Sequence, residues 1–224
     1  GLADLIRELY GVKWTLFFLL VLLIANLGTT VSEFSGIATS LEIFGISKYI
    51  SVPATALIVW WLVIKADYAK TEKIFLSLCI LFSSYVISCI IIDPPWTDVM
   101  IASVKPSFTP DAEYLLMAIG VIGTTITPWG QFYVQASIVD KGITSKNYIY
   151  TKWDVFIGSF FTGFVAFFII VATAATLYVN HIPIETAKDA AISLEPLAGK
   201  YASILFALGL FGASMLAAFI LPLS

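Results

Sequence analysis

Six apolar stretches constrain this chain more than anything else in it. They lie near residues 14–30, 50–64, 74–92, 114–139, 155–179 and 201–221, the second being the shortest. A helix needs about 20 predominantly apolar residues to cross the hydrocarbon core of a bilayer. None of the stretches shows the alternation over roughly ten residues that marks a transmembrane barrel strand. Lipid offers backbone N–H and C=O groups no partner, so helices, which satisfy those groups internally, are the expected solution. The sequence predicts an all-α integral membrane protein, a multi-span helical bundle forming one transmembrane domain over residues 1–224.

Composition closes off the other classes. The 224 residues are 59% hydrophobic and 12% charged, against about 25% charged in soluble domains. Fifteen acids outnumber twelve Lys and Arg, which excludes a nucleic-acid partner bound through a basic face. Disorder and a disulfide scaffold are excluded as well. Cys79 and Cys89 stand ten residues apart in one apolar run. A helix rises ~15 Å over that distance, beyond disulfide reach, so both read as packing residues.

The loops set an orientation. Arg7, Lys13, Lys65, Lys70, Lys73, Lys141, Lys146 and Lys152 fall in one set of alternating segments, and Lys48, Lys105, Lys188 and Lys200 in the other. The positive-inside rule puts the residue 1 side and the loops 65–73 and 140–152 in the cytoplasm of a multi-pass cell-membrane protein. The outer loops carry Asp93, Asp98, Asp111, Glu113, Glu185, Asp189 and Glu195. The chain opens on an amphipathic lead, Leu2 to Tyr10, and stops within its last apolar run. It is expected to be part of a longer protein.

The fourth stretch carries the chemistry. Thr124-Thr125-Ile126-Thr127-Pro128-Trp129-Gly130-Gln131 interrupts an otherwise apolar helix. Proline removes an N–H and clashes with the preceding turn, glycine accepts unusual dihedrals, and threonines can rebond freed backbone groups. The span is expected to break at 127–130 into two half-helices. Irregular backbone at membrane depth survives where it is buried in protein or lines a watery cavity, and interrupted helices in transporters turn free carbonyls toward a coordinated ion. A plain proline kink that only shapes packing is the alternative. The oxygens at the break are hard ligands that suit Mg²⁺, Ca²⁺ or Mn²⁺ better than copper or zinc.

A second polar group lies on the first span. Asn26, Thr29, Thr30 and Glu33 are spaced to share one helical face. An acid within a membrane span is a functional candidate, although Glu33 stands near the outer end, where an interfacial acid needs no special role. The rest of the stripe also fits interhelical hydrogen bonding. Gly158, Ser159 and Gly163, and Gly209, Gly212 and Ser214, read as close helix packing, and His181 as a solvated loop residue. No nucleophile–base pair, phosphate-cradling glycine loop or metalloprotease spacing occurs. Neither enzymatic activity nor a bound cofactor is expected.

At the broken helix the sequence resembles the Nramp (natural resistance-associated macrophage protein) family of divalent-metal transporters, and within it the Nramp-related magnesium transporter branch. Thr124 to Gln131 carry the likeness. Gly1-Leu-Ala-Asp-Leu-Ile-Arg-Glu, Ser32-Glu33-Phe34-Ser35-Gly36 and Leu221-Pro-Leu-Ser support it in the right order. The resemblance implies a LeuT-like inverted-repeat transporter with one broken helix, of which this chain covers spans three to eight of about eleven. The family's Asp-Pro-Gly motif, with its acidic metal ligand, would lie upstream.

Typical members carry Met where this chain has Thr127, and a metal-binding backbone carbonyl where it has Thr124. By resemblance, Thr124 offers a carbonyl, Thr127 a hydroxyl, Gln131 lines the cavity, and Glu33 matches the family's third-span acid. Pro128, Trp129, Gly130, Asn26 and Thr30 would also line the cavity. Trp129 stands where members have His, and Thr30 where they have Asp. Both positions are linked to proton movement, so proton coupling is not carried over. The implied function is a carrier of divalent cations, Mg²⁺ and also Mn²⁺, as transported substrates. An amino-acid or organic-ion carrier of the same fold, and a non-transporting receptor or scaffold, are the alternatives.

Overall fold

The computed structural model describes residues 2–65, 73, 76–105, 111–181, 191 and 199–223. Most of the expected inner loop at 65–73, Lys70 included, lies outside the described residues. So do Glu185, Lys188, Asp189 and Glu195 of the last outer loop.

The chain is all α, with no strand among the described residues. Helices α1 (Leu2–Tyr10), α2 (Val12–Ile43) and α3 (Lys48–Lys65) come first. Next are α4 (Ser83–Ile92), which continues a helical run from Leu76, and α5 (Trp96–Val104). The broken pair α6 (Ala112–Thr125) and α7 (Pro128–Asp140) follows. Last are α8 (Tyr148–Thr173), extended by a π-helical turn over Ala174–Tyr178, and α9 (Lys200–Ile220). Among the described residues, five helical segments are long and apolar enough to cross a membrane, or six if the bent Leu76–Val104 pair is one span.

Local chemistry explains where the helices stop. Gly11, at φ +83°, takes a backbone conformation that L side chains rarely adopt, and so separates amphipathic α1 from α2. Asp93 adopts a left-handed conformation after α4, and Pro94 and Pro95 cannot continue the helix. The chain therefore turns through 119° into α5. The first apolar stretch is part of a longer helix: α2 runs on through Glu33 to Ile43.

Helix α9 is the hub. Half of its most apolar window is buried, and it packs chiefly on α2 and α4, touching α3 as well. Ile37, Val59, Met215, Ala218 and Phe219 form the core where α2, α3 and α9 meet. Tyr85, Val165, Leu177 and Phe206 join α4, α8 and α9, with the rings of Tyr85 and Phe206 edge to face at 5.3 Å. Close approach depends on small residues. A Cβ on Gly209 would stand 2.6 Å from the Tyr85 ring, and one on Gly212 would stand 2.9 Å from Leu81 Cβ. Gly158 and Gly163 on α8 have open space where a side chain would go, so the packing role expected for them is not seen here. Cys89 is fully buried against Val171 and Ala172, and both cysteines are free.

Candidate functional site

The break in the fourth stretch is built by its proline. The residue before a proline is sterically pushed out of the helical region, and Thr127 is extended, at φ −73° and ψ 137°. Pro128 then opens α7 at a position where its missing N–H costs nothing and its ring is pre-set for the helix. The non-helical residues are Ile126 and Thr127, and residues 128–130 already belong to α7. The sequence placed the interruption at 127–130. Proline favours the first turn of a helix, so it restarts the chain where a mid-helix proline would have stopped it.

This geometry frees backbone oxygen. The Ile126 N–H still donates to the Ile122 carbonyl at 2.9 Å. The residue four beyond Thr124 is Pro128, which has no N–H to give. The Thr124 carbonyl thus loses its helical donor, and it does so at the C-terminal end of α6, where the helix dipole is negative. The hydroxyls of Thr124 and Thr125 both donate to the Val121 carbonyl, at 3.0 and 2.7 Å. Their protons are therefore turned back into the helix, and their lone pairs remain to accept. Thr127 makes no side-chain capping bond. A Cβ on Gly130 would stand 2.9 Å from Thr127 Oγ1, so the glycine keeps the space that this hydroxyl occupies.

Around the break, Thr127, Trp129 and Gly130 are half-buried, and Thr124, Pro128 and Gln131 are exposed. The indole N–H of Trp129 is buried without a hydrogen-bond partner among the described residues. Helix α7 packs along α2, and Gln135 Oε1 accepts from the Leu2 N–H at 2.9 Å, which ties α1 to the same half-helix. On α2, the Thr30 hydroxyl donates to the Asn26 carbonyl at 2.7 Å, coupling two of the expected lining residues within one helical face.

Glu33 sits elsewhere. It is half-buried on α2, one turn before Gly36, which lies against Ser214 of α9, and among the described residues no hydrogen bond or ion pair joins it to the break. Six of the nine expected residues, Thr124, Thr127, Pro128, Trp129, Gly130 and Gln131, are brought together at the break. Asn26, Thr30 and Glu33 lie along α2. Ser214 is buried and packs against Gly36 of α2, the close-packing role its spacing implied. No group of three or more His, Cys, Asp or Glu side chains capable of holding a metal occurs among the described residues. The oxygen donors at the break are hydroxyl, amide and carbonyl groups, a hard set.

Comparison with known proteins agrees with this architecture. The family model described as "Natural resistance-associated macrophage protein-like" (Nramp) matches residues 1–224. The "Divalent metal cation transporter MntH" of Erwinia tasmaniensis is 28% identical, over 96% of this chain and 54% of that protein. The transporter of the same name from Klebsiella pneumoniae is 26% identical, over 96% of this chain and 54% of its own length. The chain spans about half the length of the curated relatives it matches.

Proposed function

This chain belongs to the Nramp family, and from that premise we propose that it forms part of a carrier that moves divalent metal cations, Mg²⁺ and also Mn²⁺, across the cell membrane by alternating access. The observation that carries the reading is the interrupted helix at Ile126–Thr127. There Pro128 withdraws the donor from the Thr124 carbonyl, and Gly130 keeps room for the Thr127 hydroxyl. On this reading the two oxygens supply the hard coordination that a partly hydrated divalent cation takes. Gln131 adds an amide oxygen, while Glu33 stands apart from these donors on α2.

Selectivity follows from what is missing. Thioether sulfur favours soft ions over magnesium, and Thr127 puts a hydroxyl where typical relatives place Met. Transport on this reading needs no proton. An inside-negative potential of 100 mV favours entry of a divalent cation by roughly 4–5 kcal/mol, and Trp129 and Thr30 replace the residues tied to proton movement.

The test is Mg²⁺ and Mn²⁺ uptake into proteoliposomes by the protein expressed from its complete gene, with an internal pH dye, alongside Thr127→Met. Potential-driven uptake of both ions without acidification is expected, and the Met variant should lose Mg²⁺ uptake preferentially. Mn²⁺ uptake alone, with proton influx, would show that Thr127 does not set selectivity. No divalent flux at all would move the assignment to an organic solute or a receptor.

A further inference from the structure

Only residues 44–47 separate α2 from α3, and the two helices pack together. Near that turn an open groove of about 450 Å³ lies between them. Its walls are Val31, Phe34 and Ala38 of α2 and Val52 and Pro53 of α3. Lys48 and Tyr49, the first two residues of α3, line it beside the turn. We propose that this groove binds an anionic phospholipid, with the phosphate on Lys48 and the upper part of an acyl chain against the apolar wall.

Depth orders the groove by polarity. From Trp14, where the first apolar stretch begins, about 20 helical residues cross the hydrocarbon, which brings its edge near residue 34. Val31 and Phe34 therefore stand at the top of the hydrocarbon, and Ala38 and Lys48 beyond it, at headgroup level. A phospholipid has the same order of charge above and chain below. The lysine is available to it. Lys48 is exposed and pairs with no acid among the described residues, and its Nζ lies 5.7 Å from the centre of the Tyr49 ring. A cation and an aromatic ring side by side suit the membrane interface.

Two polar groups of the groove also lack helical partners. Pro53 has no N–H, so the Tyr49 carbonyl four residues before it has lost its helical donor. Thr29, Thr30 and Ser40 of α2 turn their hydroxyls back to their own helix. The hydroxyl of Ser35, which lines the groove, makes no hydrogen bond among the described residues. Phosphatidylglycerol offers hydroxyls to these groups and a phosphate to Lys48. A protein segment in the same place would have to bring an acid to the lysine.

The experiment follows the lipid held by the complete protein. The protein is reconstituted in phosphatidylcholine with phosphatidylglycerol, extracted in mild detergent, and its bound lipid counted by native mass spectrometry. Wild type should retain one phosphatidylglycerol in preference to phosphatidylcholine. Lys48→Gln should lower that retention about fivefold, the worth of one lysine at a membrane surface. Ala38→Trp, which fills the groove and keeps the lysine, should lower it at least as much. Lys105→Gln, at an exposed lysine that ends α5, should leave it unchanged. Thermal midpoints in phosphatidylcholine alone separate lost lipid from lost folding; if Ala38→Trp unfolds, the exposed Lys48 decides. Equal retention of both lipids, no loss in Lys48→Gln, or an equal loss in Lys105→Gln would overturn the proposal.

A photoreactive benzoylphenylalanine in place of Val52 shows what fills the groove in the membrane. Crosslinks to phospholipid are expected. Crosslinks to a peptide of the same protein would overturn the proposal and give the groove to a further segment of the chain. Neither readout requires ion transport, so the lipid site stands or falls apart from the metal-carrier reading.

Discussion

On the proposed reading, Thr127 is the residue on which the ion chemistry turns, and its neighbour Gly130 keeps the space its hydroxyl occupies. A Cβ at 130 would sit 2.9 Å from Thr127 Oγ1, so Gly130→Ala must displace the hydroxyl or the start of α7. Overpacking of this kind costs about 1–3 kcal/mol. We expect Gly130→Ala to weaken apparent Mg²⁺ affinity by roughly tenfold, read as KM in uptake, and to lower the thermal midpoint by no more than that overpacking cost. Normal affinity would show that Thr127 Oγ1 is not a ligand. That the oxygens at the break are hard donors was legible in the residue types. The steric dependence of Thr127 on Gly130 was not, since it exists only once Pro128 has turned the chain.

At the scale of elements, the broken helix and the α4–α9 contact make opposite predictions. Pro128→Ala restores an N–H four residues beyond Thr124, which lets a continuous helix form across Ile126–Thr127 and retires the free carbonyl. The thermal midpoint should hold or rise. Ion affinity should fall by about 1.5–3 kcal/mol, the worth of an interaction with a charged group. A variant that transported normally would mean the interruption only shapes packing. Gly209→Ala should instead destabilise the fold by about 1–3 kcal/mol, because its Cβ would stand 2.6 Å from the Tyr85 ring. Gly158→Ala, with open space around it, should be neutral or stabilising by up to about 1 kcal/mol, as alanine is the better helix former. Thermal unfolding of the two variants side by side checks the contrast. The sequence marked both glycine groups as packing residues, and one helix contact separates them: α9 lies against α4, while this face of α8 meets no neighbour among the described residues.

For the whole molecule, the charge asymmetry of the loops makes a topological prediction. Lys146 is exposed in the short connection before α8 and should face the cytoplasm. A single cysteine placed there by Lys146→Cys, in a protein whose Cys79 and Cys89 have been replaced, should react with an impermeant maleimide only after the membrane is opened. Labelling of intact cells would invert the orientation. The exposed apolar side chains along α2, α6 and α8 are expected of helices that meet lipid or further transmembrane segments, since the chain spans about half the length of the relatives it matches.

The sequence by itself determined the class and that Pro128 interrupts the fourth stretch. Apolar runs of membrane-crossing length leave the backbone only a helical solution, and proline after threonine forces an extended residue wherever it falls. Both are local constraints, so they can be read without knowing what packs on what. The close approach of Gly36 to Ser214 and the difference between Gly209 and Gly158 were decided only by the tertiary structure. Each requires knowing that α9 lies against α2 and α4. Residues about 180 positions apart meet through helix packing, which depends on the shapes of two surfaces and leaves no spacing rule in either one.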